Sequence, residues 1–265
     1  MALVPMNPDS NLISVRGDDE FSLSPWKKNV TKEKSYWNSF YSKEFSLKTP
    51  SQFCVLTAME AHLDRPIVEF GCGNGRDSIY LASQGFDVHA CDLSKEAIDR
   101  NQNQSKIKTC LESAAHAGSL EFSVVDATNR EQVESVIDRA RSRSGGRANS
   151  NITVYSRFFL HSIDKDQEDL FLDALSSTLT VKDDAIYLEF RCQMDEGLPK
   201  EHGKGHYRRY VDTDALVERL QNRGLDTVYE VTGRGMAKYK NEDPFVSRII
   251  ARKHWFDALF WPEKI

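Results

Sequence analysis

The sequence predicts an α/β fold: a Rossmann-like, mostly parallel seven-stranded sheet with helices on both faces and a C-terminal antiparallel hairpin. Three observations predict it. Short apolar runs alternate with helical patterns from Ile67 to Gln221, as βαβ units do. The first run ends in a glycine-rich loop and a helix follows directly, Glu69-Phe70-Gly71-Cys72-Gly73-Asn74-Gly75. The last two runs, Thr227–Val231 and Phe245–Ala251, flank a Gly-Arg-Gly turn region with no helix between them, and strands joined without a crossover must be antiparallel.

Residues 1–34 carry Pro5, Asn7, Pro8, Asn11, Gly17 and a short acidic run, and are expected to form a mobile or loosely docked arm. Residues 35–265 form a single domain. Tyr36, Trp37, Phe40 and Tyr41 recur at roughly helical spacing, and Pro50-Ser51 opens a second helix running to Leu63. Strands are expected at Ile67–Phe70, Asp87–Cys91, Leu120–Val125, Ile152–Phe158 and Ala185–Phe190. Between and after them, helices are expected over Asp77–Gln84, Ser94–Gln102 with Ser94 as N-cap, Arg130–Arg141, Lys165–Thr178 and Asp212–Gln221. Ser144-Gly145-Gly146 and Asn149-Ser150-Asn151 mark a turn or loop.

Composition removes several classes. The chain of 265 residues has 35 basic against 40 acidic side chains, a net charge of −5, which does not fit a general nucleic-acid coat. No window approaches the ~18–20 apolar residues of a membrane span, and the N-terminus shows no basic start followed by an apolar stretch. The 5 cysteines are odd in number and none forms C-x-x-C, so reduced thiols in a cytoplasmic protein are expected, with no zinc site.

The glycine loop carries the chemistry. Glycines stand where backbone turns tightly and approaches a ligand without a Cβ in the way. Against the dinucleotide fingerprint G-x-G-x-x-G, Gly71 and Gly73 fit, but Arg76 occupies the third position and the glycine falls one residue early, at Gly75. That spacing disfavours a nicotinamide-dependent oxidoreductase. An acid, Glu69, precedes the first glycine by two, and Asp92 and Asp126 close the second and third strands. All three acids fall at carboxyl ends of parallel strands, where open α/β sheets bind ligands.

In this motif the chain resembles the class I S-adenosylmethionine-dependent methyltransferases over roughly Ile67 to Lys253. The resemblance implies that Gly71, Gly73 and Gly75 face the methionine and ribose of S-adenosylmethionine and that Glu69 lies near the methionine amino group. It implies that Asp92, with Leu93 beside it, pairs with the ribose hydroxyls, and that Asp126, with Ala127, lies by the adenine amino group. Tyr36 and Trp37 are expected in a lid formed by helices over 35–65, with Arg157 also at the cofactor.

The Asn/Asp-Pro-Pro-Tyr/Phe motif that base and glutamine-amide methyltransferases share after the fourth strand is absent; here Tyr155-Ser156-Arg157-Phe158-Phe159-Leu160-His161 follows. Nucleic acid is therefore not the expected acceptor. Arg157, Arg191 and Arg208, with His161, His206 and Tyr207, gather on loops at the ligand-facing edge, and arginine suits planar anions. A small anionic acceptor bearing phosphate, phosphoramidate or carboxylate, oriented by the three arginines, is the expected partner. A neutral hydroxyl acceptor would instead use His161 or His206 as base. A protein that binds the methyl donor without turnover is the competing reading. His206-Tyr207-Arg208-Arg209 and Lys238-Tyr239-Lys240-Asn241-Glu242-Asp243-Pro244 also resemble small bacterial methyltransferases of capsule and lipopolysaccharide biosynthesis.

Overall fold

The computed structural model describes residues 34–42, 49–103, 105–143, 151–199 and 207–254. Strands β1 (Ile67–Phe70), β2 (Val88–Asp92), β3 (Leu120–Val124), β4 (Thr153–Arg157), β5 (Ala185–Arg191), β6 (Leu225–Gly233) and β7 (Val246–Lys253) form one sheet in the order β3-β2-β1-β4-β5-β7-β6. The pairs from β3 to β5 are parallel, whereas β7 runs antiparallel between β5 and β6. Chain order reverses between β1 and β4, so a crevice opens there at the carboxyl ends of the strands.

Helices cover both faces. Residues 34–41 form α1, followed by α2 (Gln52–Glu60), α3 (Arg76–Ser83), α4 (Lys95–Gln102), α5 (Ser105–Glu112), α6 (Arg130–Arg143), α7 (Lys165–Thr178) and α8 (Thr213–Gln221). One apolar core joins Val68, Phe70 and Val154 to Val133 and Ile137 of α6, Phe171 of α7 and Leu216 of α8. The other joins Ile67, Val88 and Tyr155 to Phe53 of α2, Leu81 of α3 and Ile98 of α4. Since both faces are covered, β1, β2 and β5 are buried along their whole length, so they read as mainly apolar runs, and their polar members Glu69, His89, Asp92, Glu189 and Arg191 are buried too.

Side-chain caps set the helix starts. Ser51, Ser94 and Asp212 each accept the backbone N–H three residues on, and Asp164 forms a reciprocal capping box with Gln167. Two differences from the sequence expectation have physical causes. Helix α2 stops at Glu60, because Ala61 turns to extended backbone while its N–H still closes on the Thr57 carbonyl, and the chain then turns at His62–Arg65. Helix α5 was not expected: its charged and polar residues hide an apolar pair, Ile107 and Leu111, that packs on the second core. The arm at 1–34 falls outside the described residues except for Lys34, which is already helical, and the turn at 144–150 and the loop at 200–206 lie outside them as well.

A buried carboxylate locks the lower end of the sheet. Asp184 accepts two bonds from Arg141, at 3.1 and 2.8 Å, and the backbone N–H groups of Ile152 and Val181, each at 2.9 Å. Asp184→Ala leaves the Arg141 guanidinium and two N–H groups uncompensated, so it is expected to lower stability by about 3–5 kcal/mol in urea unfolding.

Candidate active site

The site grows out of the loop after β1. Gly71 and Cys72 donate to the Cys91 carbonyl, at 2.8 and 3.0 Å, which ties the loop to β2. Gly73 has φ +52, donates its N–H to Asp92 Oδ2 at 2.8 Å and accepts from Asn101 Nδ2 at 2.9 Å. A Cβ at Gly73 would stand 2.3 Å from the Tyr41 hydroxyl, so both its backbone and its neighbour require glycine. Gly75 turns the other way. Its missing Cβ faces Phe122 and Asn101 in the interior, so it lets the chain enter α3 and does not line the cleft as expected.

Two cavities meet above this loop. The narrower, about 80 Å³, is lined by Trp37, Tyr41, Phe70, Gly71, Asp92, Leu93, Asp126, Ala127, Phe158 and Ile163. The wider, about 500 Å³, is lined by Glu69, Gly71, Gly73, Asn74, Arg76, Asp77, Arg157, Phe158, His161 and Arg208, with Trp37, Phe40 and Tyr41 of α1 along one side and Met236–Tyr239 and Glu242 along another. Helix α1 thus bears on the cleft, and Asn38 Oδ1 accepts from the Ser94 hydroxyl at 2.8 Å. Tyr36 stands outside both linings, its ring edge-on to Trp37 at 5.0 Å; the face of α1 that enters the cleft carries Trp37 and Tyr41.

The three acids differ in what they hold. Asp92 is buried and each oxygen already takes one backbone N–H, from Gly73 and from Ser94, both at 2.8 Å. Burial raises its pKa, and those bonds oppose the rise. A carboxylate oxygen accepts more than one bond, so both keep capacity for a diol. Asp126 commits one oxygen to its own turn, accepting from Thr128 N–H and Oγ at 2.9 and 2.6 Å. Glu69 lies under the wider cavity and accepts from Ser78 Oγ. Burial, with Asp77 beside it, pushes its carboxyl up to about 8 against the pull of Ser78 and Arg76. Asp77 in turn accepts from Ser51 N–H and Oγ, at 2.8 and 2.7 Å, and from Tyr155 Oη at 3.0 Å, stapling α2 to α3.

The arginines divide sharply. Arg157 donates from Nε to Glu189 at 2.8 Å and its guanidinium lies 4.2 Å from the Phe158 ring centroid; among the described residues nothing takes its two Nη groups. Burial would lower its pKa, but Glu189 and Asp77 raise it on balance, so it stays charged. Glu189 also holds Arg248 at 2.7 Å. Arg191, by contrast, spends one Nη on Asp195 at 2.8 Å and the other on Glu242 at 2.7 Å. Its charge is matched twice over, although it lines the wider cavity together with Arg157 and Arg208. Arg208 lines the wider cavity, while Arg209 beside it ties the loop to Leu160 and Ile163 carbonyls and to Glu168. Tyr207 is exposed and outside both linings, and His206 is not among the described residues.

His161 is buried and its Nδ1 accepts the Arg191 backbone N–H at 3.2 Å. An acceptor Nδ1 leaves the ring proton on Nε2. The imidazole is therefore set up as a donor, and this geometry does not prepare it for the base role considered for a hydroxyl acceptor. Tyr41, Phe158, Asp77, Glu189 and Asn101 were not named as site residues from the sequence. Tyr41 is four residues after Trp37, a spacing that marks a shared helix face; for the others the sequence carries no distinguishing signal. Among the described residues no helix is long and apolar enough to cross a membrane, and no group of His, Cys, Asp and Glu is placed to hold a metal ion.

The family model described as tellurite resistance protein TehB matches residues 32–136, from α1 into the first half of α6. A methyltransferase structure from Anabaena variabilis, described as S-adenosylmethionine-dependent, is similar at 17% identity and TM-score 0.59, covering 85% of this chain and 95% of that one. The 1,6-didemethyltoxoflavin N1-methyltransferase of Burkholderia thailandensis, solved with S-adenosylhomocysteine, is similar at 18% identity and TM-score 0.55, covering 87% and 91%. A TehB-like methyltransferase from Corynebacterium glutamicum gives 14% identity and TM-score 0.51, covering 86% and 100%. No curated protein matches the chain. The glycine loop between β1 and α3, the acids at the strand ends, the sheet order and these matches agree: the chain has the fold of the class I S-adenosylmethionine-dependent methyltransferases and is similar to TehB over residues 32–136.

Proposed function

We propose that this protein transfers the methyl group of S-adenosylmethionine to an oxygen of a small anionic acceptor, with phosphate, phosphoramidate, carboxylate and sugar-linked anions in its range. The observation that carries the reading is Arg157: a partly buried guanidinium fixed by Glu189 and stacked on Phe158, with two Nη groups that no described residue takes, on the lining of the wider cavity. Two parallel N–H donors match the geometry of a carboxylate or phosphate. Arg208 and Lys238 add positive charge to the same lining. The matching family is named for resistance to tellurite, itself a small oxyanion, which supports the same acceptor class.

The cofactor fits this chain's residues. Asp92 presents two oxygens with remaining acceptor capacity, Glu69 suits a buried ammonium, and Leu93, Ala127 and Ile163 offer apolar walls beside Asp126. When bound, S-adenosylmethionine supplies an electrophilic methyl group on a positively charged sulfur. Trp37 and Tyr41 then exclude water from the meeting of the two cavities, and Arg157 aligns the acceptor oxygen for in-line attack. An anionic oxygen needs no base, in keeping with the donor state of His161.

Arg157→Ala is expected to lower kcat/KM by about 100-fold with the accepted anion, while S-adenosylhomocysteine affinity changes only a few-fold. The assay follows S-adenosylhomocysteine formation with inorganic phosphate, tellurite, a hexose phosphate, a benzoate and neutral alcohols. Turnover of a neutral alcohol alone, unaffected by Arg157→Ala, contradicts the anionic reading.

A further inference from the structure

Four residues line both cavities: Trp37, Tyr41, Gly71 and Phe158. They mark the place where a bound cofactor would meet the acceptor. Trp37 and Tyr41 belong to α1 and stack on one another at 5.9 Å, and Gly71 has no side chain. Phe158 alone brings a side chain there from the sheet, one residue beyond β4. Its backbone is unusual, with φ +57, a conformation that suits glycine or asparagine and burdens a bulky residue. A bulky outlier of this kind held in a cleft points to a role for the ring it displays.

The surroundings hold the strained residue in place. Phe158 donates its N–H to the Glu189 carbonyl at 2.7 Å. Arg157 covers its ring at 4.2 Å, Arg191 stands 5.8 Å away, and the His161 ring meets it edge-on at 5.0 Å. Glu189 also fixes Arg157 through its carboxylate, so one residue anchors both the turn and the cation stacked on it. The ring is thus a rigid wall, packed from behind by charged groups that are themselves paired.

We propose that Phe158 is a specificity-determining residue: its ring delimits the space around the transferred group and sets how large a substituent on the cofactor sulfur the junction admits. The inference rests on the cofactor assignment above and goes beyond it. A flexible side chain would yield to a larger substituent, whereas this one is held on three sides and refuses it, a steric exclusion of the wrong ligand.

Calorimetric titration of the full chain tests this without knowledge of the acceptor. The probes are S-adenosylhomocysteine, S-adenosylmethionine, and analogues with allyl or benzyl in place of the methyl group. Wild-type protein is expected to bind the benzyl analogue about 100-fold more weakly than S-adenosylmethionine. Phe158→Gly and Phe158→Asn both suit the positive φ, and each is expected to recover about tenfold or more of that loss. Each variant's analogue affinity is read relative to its own S-adenosylhomocysteine affinity, so a general change at the cleft does not count as recovery. Phe158→Trp, which adds bulk, should weaken S-adenosylmethionine relative to S-adenosylhomocysteine. An analogue profile unchanged across these variants overturns the inference while leaving the cofactor assignment standing, as does an equal loss for every ligand, the mark of a support residue. Failure of folded wild type to bind S-adenosylhomocysteine overturns the assignment and the inference together.

Discussion

Asp92→Ala is expected to weaken S-adenosylhomocysteine binding by about 100-fold or more. The carboxylate works in two directions. Inward, it takes the N–H of Gly73 and that of Ser94, so it sets the glycine loop against the entrance to α4. Outward, in the proposed cofactor assignment, its remaining acceptor capacity would meet a ribose diol. A hydrogen bond to a charged group contributes about 1.5–3 kcal/mol, and two lost to the ligand correspond to about 3 kcal/mol or more, the stated factor. The loop's own N–H groups are also left short of a partner. Asp92→Asn fares little better, because its amide nitrogen must face one of two N–H donors. Asp126→Ala is expected to cost less, since one Asp126 oxygen serves its own turn at Thr128. Calorimetry on the three variants, each checked for folding by circular dichroism, orders these effects.

Cofactor binding is expected to release close to one proton per chain near pH 6.5, and Glu69→Gln is expected to abolish that release. Glu69 is nearly fully buried, with Asp77 and Asp92 nearby, and its carboxyl is pushed up to about 8, so the free protein holds it neutral at this pH. An arriving ammonium reverses the balance and favours the carboxylate. Around it stand Arg76 and Asp77 on α3, Asp92 on β2, Tyr41 on α1 and Tyr155 and Arg157 on β4. The sign follows from linkage. A carboxyl with a raised folded pKa contributes stability that is fully present below its unfolded value of 4.5 and is lost as pH climbs through about 8. The unliganded protein should therefore lose stability across that window. Ligand affinity moves the other way, rising about tenfold per pH unit from pH 6 until the ligand's own amine begins to lose its proton near ~7.7–8.0. Titration in buffers of different ionisation enthalpy counts the protons directly. Affinity independent of pH between 6 and 7.5 would contradict this role for Glu69.

How much of this was legible depended on whether a residue's meaning is local. The strands from β1 to β5 sit under helices on both faces, so their apolar runs were plain, and the loop at Gly71–Gly75 with Asp92 at the next strand end is a pattern carried by spacing alone. The hairpin of β6 and β7 followed from the missing crossover helix. Partner choice was not legible. Arg157 and Arg191 look alike as cations at neighbouring strand ends, yet one meets a single carboxylate and the other meets two, and Glu242 comes from 51 residues further along the chain. The state of His161 depends on which backbone N–H reaches its ring, and that is set by the approach of β5. Which aromatic of α1 enters the cleft depends on how that helix docks, so Tyr36 and Tyr41 could not be told apart. Nothing local marks Phe158 for a positive φ, because the residue type argues against it.

The most direct test of the account is calorimetric titration of the cofactor-stripped, folded full chain with S-adenosylhomocysteine at pH 7.5. The account predicts saturable binding of one molecule per chain, with micromolar or tighter affinity, lost in Asp92→Ala. A folded protein that takes up no S-adenosylhomocysteine would contradict it, leaving the fold in place and removing the chemistry assigned to the cleft.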